Sequence, residues 1–285
     1  MIRQFATVIN VQELASLMDN GELTLFDCSF DLANPDAGQQ AFVCGHVPGA
    51  SYLHLDQDLS SPPSGNNGRH PLPQAEVLAA KLRACGLRNH HQVVVYDRSG
   101  GAFAARLWWL LRWLGHDAVA LLDGGWNAWI AAGQGEETGV AHIAQPGDFT
   151  PHPRSNMTVS VDDLLASPGD GRYRVVDARS PERFRGEPNP LDPVAGHIPG
   201  ARNRFFQHNL DEHGMWKSPE MLRKELVAAI GETEGKQVVL QCGSGVTACH
   251  NAFAMTLAGW TDYRLYPGSW SEWICDPARP VDRGA

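Results

Sequence analysis

Short β-branched apolar runs alternate along the chain with longer stretches whose apolar residues recur every three or four positions. In the second half, "YRVVDA" predicts a strand, "SPEMLRKELVAAIG" a helix, "QVVLQ" a strand, "GVTACHNAFAMTLAG" a helix and "YRLYP" a strand. End signals agree with this periodicity. Ser160 is placed to cap a helix over "VSVDDLLAS", and Ser218 to cap the next, with Pro219 at its first position and Gly231 at its stop. Strands alternating with helices predict an α/β fold with a parallel sheet covered on both faces. Ligands in such sheets bind beyond the carboxyl ends of the strands. Cys242 stands at one of these ends, in "VVLQCGSGVTA".

The pattern occurs twice. "GHVPGA" (Gly45 to Ala50) returns as "GHIPGA" (Gly196 to Ala201), each preceded by an apolar run ending in aspartate, Asp27 and Asp177. "DGGWNAW" is echoed by "YPGSWSEW", which pairs Trp126 with Trp270 and Trp129 with Trp273. "VVVYDRSGG" matches "VVLQCGSGV" and sets Asp97 opposite Cys242. Landmarks in one order at a nearly constant, domain-sized spacing predict a duplicated domain rather than a solenoid. The stretch from Gly133 to Ser160 is rich in glycine, proline and polar residues, and it reads as a join. The expected organisation is domain one over residues 1–135, a linker over 136–156 and domain two over 157–285. The repeated tryptophans read as packing elements.

Composition narrows the function classes. The 285 residues are 43% apolar and 19% charged, as expected of a globular protein. A formal net charge of -9 argues against a nucleic-acid partner and requires local cations for any anionic ligand. The six cysteines include no CxxC pair, which argues against a zinc ribbon or a dithiol redox motif. No metal and no cofactor is expected. His90–His91 and Cys249–His250 lack partners at metal spacing and read as structural or surface residues. No apolar stretch approaches the ~18 residues of a membrane span. "MIRQFATVINVQELASLM" lacks the apolar core of a signal peptide, so a reduced cytoplasmic protein is expected.

Three chemistries compete for the Cys242 loop. Gly243, Gly245 and Ala248 spell GxGxxA after a strand, but the next strand ends at Tyr266 and Pro267 instead of the acid that would hold a ribose. A cysteine phosphatase needs an arginine six positions after its cysteine, and Ala248 stands there. A sulfur nucleophile needs a stabilised thiolate, which the N–H groups of Gly243, Ser244, Gly245, Val246 and Thr247 can supply together with a helix N-terminus. Ser244 and Thr247 add hydroxyls. A buried structural cysteine is the plainer alternative for one such residue, and a redox-sensing or binding module is the non-enzymatic one.

The duplicated "GHVPGA" and "GHIPGA", the "DGGW" and "PGSW" segments and a cysteine loop in the second copy alone resemble the tandem-domain rhodaneses. "CGSGVTA" is similar to the loop of 3-mercaptopyruvate sulfurtransferases; thiosulfate-using rhodaneses usually carry basic residues where Gly243 and Ser244 stand. The resemblance spans nearly the whole chain. It implies two rhodanese-like domains, each a five-stranded parallel sheet flanked by helices, with the first silent. Asp97 agrees with that silence, since a carboxylate carries no sulfur. The implied activity moves sulfur from 3-mercaptopyruvate through a Cys242 persulfide to a thiol such as thioredoxin, or to cyanide. Thiosulfate is the alternative donor.

The resemblance also assigns Ser244 and Asp56 to catalysis with Cys242, and His70 and Arg183 to the substrate. Without it, Asp56 and His70 read as ordinary loop residues. Arg179 and Arg185, flanking Arg183, read as solvated charges. One departure stands out: mercaptopyruvate enzymes usually place a second arginine in a "PEPR" segment, and this chain reads "PNPLD", with Leu191 in that place.

Overall fold

The computed structural model describes residues 4–19, 21–140, 145–166 and 172–284; Met1 to Arg3 of the leading segment and residues 141–144 of the expected linker lie outside these. The chain forms two compact units. The first comprises Met1–Ser61, Pro73–Arg154 and Glu212–Trp216; the second comprises Pro62–Leu72, Ser155–Asp211 and Lys217–Ala285. The loop carrying His70 therefore packs within the second unit, although it lies early in the sequence.

The first unit contains β1 (Val8–Ile9), β2 (Leu23–Asp27), β3 (Ala50–Tyr52), β4 (Gln92–Tyr96) and β5 (Val119–Leu122). Among the described residues they form a five-stranded parallel sheet in the order β1-β5-β4-β2-β3. Every residue of β4 is buried, as a central strand covered on both faces requires. Helices α1 (Val11–Leu17), α2 (Ala37–Cys44), α3 (Ala75–Ala84), α4 (Ala104–Trp113) and α5 (Gly125–Ala131) connect the strands.

The second unit contains β6 (Arg174–Asp177), β7 (Arg202–Asn203), β8 (Val238–Gln241) and β9 (Arg264–Leu265). They pair in parallel in the order β7-β6-β8-β9. The resemblance implied a fifth strand here as well. Among the described residues, that strand is reduced to a bridge between Thr158 and Leu265. The reason is local. A 3-10 turn occupies Ser155–Met157, and Ser160 already caps α6 (Val161–Leu165) through a capping box with Asp163, leaving only two residues between them. Helices α7 (Pro181–Arg185), α8 (Pro219–Ile230), α9 (Ala248–Leu257) and α10 (Ser269–Trp273) complete the unit. Ser218, Pro219 and Gly231 bound α8 as expected.

The repeated motifs repeat their packing. Trp126 and Trp129 enter the first core, and Trp270 and Trp273 the second. The motif histidines are structural: His46 stacks on Phe42 and His197 on Phe184, with ring centroids 3.8 Å apart in each. Each ring donates from Nδ1 to its stacking partner's carbonyl, at 2.8 Å. Arginines also recur at equivalent places from different loops. Arg98 lies over Trp126 and donates to the Gly45 carbonyl; Arg179 lies over Trp270 and donates to the Gly196 carbonyl.

Candidate active site

Strand β8 is wholly buried and delivers Cys242 to the start of a turn that feeds α9. The Cys242 side chain is nearly enclosed, at 2% exposure for the residue. Its backbone is pinned from α10. Cys242 N donates to Ser269 Oγ at 3.1 Å, Trp270 N donates to the Cys242 carbonyl at 3.0 Å, and Ser271 N donates to the Gly243 carbonyl at 2.9 Å. These bonds explain why the "PGSW" segment accompanies the cysteine loop.

Inside the turn, the Gly245 N–H donates to Cys242 Sγ at 3.2 Å. Gly245 has φ +79, and a Cβ on it would strike the Pro267 carbonyl oxygen. Only glycine satisfies both the left-handed backbone and that close approach. Val246 and Thr247 then lead into α9, whose ten residues place a positive helix end beside the thiol.

Ser244 Oγ lies 2.7 Å from His70 Nδ1, and both residues are buried. Gly243 carries a different load. A Cβ at this position would lie 2.7 Å from Arg69 Nη2 and 2.8 Å from Arg183 Nη2. Two guanidinium groups thus rest against the backbone next to the cysteine. Arg183 grips Asp192 through Nε at 2.8 Å and Nη2 at 2.8 Å. Arg69 donates from Nη1 to the Leu191 carbonyl at 2.7 Å and faces Asp192 at 3.4 Å. The Arg69 amide is held by Ser271 Oγ at 3.0 Å.

Arg69 is a site residue that the sequence reading missed. Its signal was modest: a basic residue immediately before His70 in "GRHPLP". The reading of Arg179 is corrected. It is not a solvated charge: it is buried, with Nε and Nη2 on Asp177 at 2.7 to 3.1 Å. Asp177 closes β6 with no exposure and needs a counter-cation. Burial works against the Arg179 charge, but Asp177 and then Asp192 outweigh it and hold the pKa above its ordinary value. Arg185 is exposed and pairs with Glu187 at 2.7 Å, as expected of a surface charge. Asp56 belongs to the first unit, where it is exposed and donates its amide to His54 Nδ1 at 3.1 Å.

The first unit reveals what this kind of loop binds. Asp97 follows β4 as Cys242 follows β8, and Trp126 N donates to the Asp97 carbonyl at 3.0 Å, matching the Trp270–Cys242 bond. The Asp97 carboxylate accepts the N–H groups of Ser99, Gly101, Phe103 and Ala104 at 2.7 to 2.9 Å. That loop is a backbone nest filled by its own anion.

Among the described residues, no cluster of three histidine, cysteine or acidic groups suits a metal ion, and no helix is long and apolar enough to cross a membrane.

Comparison with known proteins places this geometry in a class. The Rhodanese-like domain matches residues 10–132 and again 160–275. The chain belongs to the tandem-domain rhodanese and 3-mercaptopyruvate sulfurtransferase family. It is 47% identical over 281 residues to a probable 3-mercaptopyruvate sulfurtransferase of Pseudomonas aeruginosa, covering 98% of this chain and 99% of that one. It is 40% identical over 287 residues to a putative thiosulfate sulfurtransferase of Mycobacterium tuberculosis, covering 97% of each. Among solved structures, the 3-mercaptopyruvate sulfurtransferase of Leishmania major superposes with a TM-score of 0.83 at 31% identity, covering 94% of this chain and 74% of that one.

Proposed function

We propose that the chain is a sulfurtransferase that takes sulfur from 3-mercaptopyruvate onto Cys242 and passes it to a thiol acceptor such as thioredoxin, or to cyanide in an assay. The observation that carries this reading is the set converging on one loop: Cys242 Sγ under the Gly245 N–H, the Ser244–His70 pair, and two guanidinium groups at Gly243.

The Cys242 thiolate attacks the donor sulfur. The new S–S bond forms as the donor C–S bond breaks, so the sulfur is oxidised to the sulfane level and the carbon fragment leaves as the enolate of pyruvate. That enolate takes up one proton. Ser244, with His70 behind it, delivers that proton. The glycine-rich turn then holds the persulfide anion, as the loop after Asp97 holds a carboxylate. An acceptor thiolate removes the outer sulfur and restores Cys242.

Arg183 and Arg69 hold the donor carboxylate, because planar guanidinium matches it in a two-point grip. Gly243, Gly245, Val246 and Thr247 line the anion cradle. The first rhodanese-like domain, residues 1–135, is catalytically silent through Asp97; residues 136–156 join it to the catalytic domain, residues 157–285. The reading carries a cytoplasmic location, where thiols stay reduced, and no nucleic-acid or membrane partner.

Thiosulfate is the second reading, and Leu191 in the place of an expected arginine is the observation that favours it. Steady-state rates with both donors test the choice. A clear preference for mercaptopyruvate supports the first reading, and a clear preference for thiosulfate replaces it with the second.

A further inference from the structure

We propose that Asp192 is a positioning residue that sets the anionic charge the donor site accepts. The inference rests on the function proposed above and deepens it.

The Asp192 carboxylate has no exposed side-chain surface. A bare carboxylate there would cost several kcal/mol, so its partners define it. Arg183, from α7, grips it at two points. Arg179, following β6, reaches it through Nη1 at 3.3 Å, and Arg69, from the Pro62–Leu72 segment, through Nη1 at 3.4 Å. The loop is built to present this group. Asn189 Oδ1 accepts the amides of Leu191 and Asp192 at 3.0 and 2.9 Å, and the Leu191 carbonyl accepts Arg69. At this loop the Leu191 carbonyl and the Asp192 carboxylate together hold Arg69 from the Pro62–Leu72 segment.

The three guanidinium groups are not equivalent. Arg179 is spent on Asp177 and has a side-chain exposure of 1%. Arg183 and Arg69 keep 20% and 35%, and both lie against Gly243. Arg69, Arg179 and Arg183 set against Asp177 and Asp192 leave one net positive charge, which the Cys242 thiolate balances. A monoanionic donor carboxylate then adds one negative charge to the site. A dianion such as thiosulfate adds two, and removing the Asp192 charge would offset one of them. Asp192 thus orients both exposed guanidinium groups and removes one unit of charge that would favour a dianion.

The test compares kcat/KM for 3-mercaptopyruvate and thiosulfate in the full chain. Asp192→Asn keeps the shape and removes the charge. Its thiosulfate-to-mercaptopyruvate ratio should rise about tenfold, mostly through KM, as expected for one charge-assisted contact. Asp192→Glu restores the charge and should bring the ratio back towards the parent value, which a purely structural role would not predict. Arg69→Gln removes one positive charge and should move the ratio the opposite way; it decides the matter if Asp192→Asn fails to fold. A ratio that stays unchanged in the folded variants overturns the inference. Sulfur gain on Cys242 of the unaltered chain is read in parallel. If it fails, the functional reading fails; if it succeeds and the ratio does not move, only the role of Asp192 fails.

Discussion

Ser244 Oγ and His70 Nδ1 meet at 2.7 Å inside the second unit, although 174 positions separate the two residues along the chain. Ser244 sits in the turn that begins at Cys242, where the proposed reaction takes up a proton as the donor C–S bond breaks. Ser244→Ala and His70→Ala should each lower kcat about a hundredfold, in the range of general acid–base assistance, with a smaller effect on KM. Rapid-quench measurement of pyruvate release checks this. A fall in KM-dependent rates alone would assign the pair to binding.

Arg183 and Arg185 lie two positions apart and have opposite surroundings. Arg183 rests against Gly243, whereas Arg185 is exposed and paired with Glu187. Arg183→Met should raise the donor KM about tenfold or more, the loss of a charged hydrogen-bonding contact. Arg185→Met should leave both constants unchanged. Steady-state kinetics on the two variants separate them directly.

Asp97 supports the first unit by filling its own loop. Asp97→Ala strands the Ser99, Gly101, Phe103 and Ala104 amides in a partly buried nest and should destabilise the chain by about 3 kcal/mol. Asp97→Asn retains an acceptor and should cost less. Urea unfolding measures both. Equal stability of the alanine variant and the parent would remove the nest from the account.

Gly245 joins a left-handed backbone to a close approach to Pro267. Gly245→Ala should cost about 1–2 kcal/mol from the backbone conformation alone. It should cost more in kcat, because the N–H on Cys242 Sγ moves with the turn. Thermal unfolding and turnover measured on the same sample separate the two losses.

Much of this was legible in the residues. The duplicated glycine–histidine motif, the paired tryptophans, the caps at Ser160 and Ser218 and the solitary cysteine at a strand end are local or repeated signals, and each marks the element found. Other features depend on tertiary placement. Arg69 matters because Pro62–Leu72 packs in the second unit, which periodicity does not report. Arg179 is buried because Asp177 is buried, and an aspartate at a strand end looks the same from sequence whether or not it is covered. The fifth strand of the second sheet shrinks to a bridge because the Ser160 cap follows so closely on a 3-10 turn, a competition between local elements that strand propensity alone does not resolve.

The central claim is that sulfur rests on Cys242 between donor and acceptor. Intact-protein and peptide mass spectrometry after brief exposure to 3-mercaptopyruvate tests it most directly. The account predicts a gain of roughly 32 Da on the Cys242 peptide, removed by dithiothreitol and absent from Cys242→Ser. Turnover without any sulfur gain at Cys242, or full activity in Cys242→Ser, would contradict it.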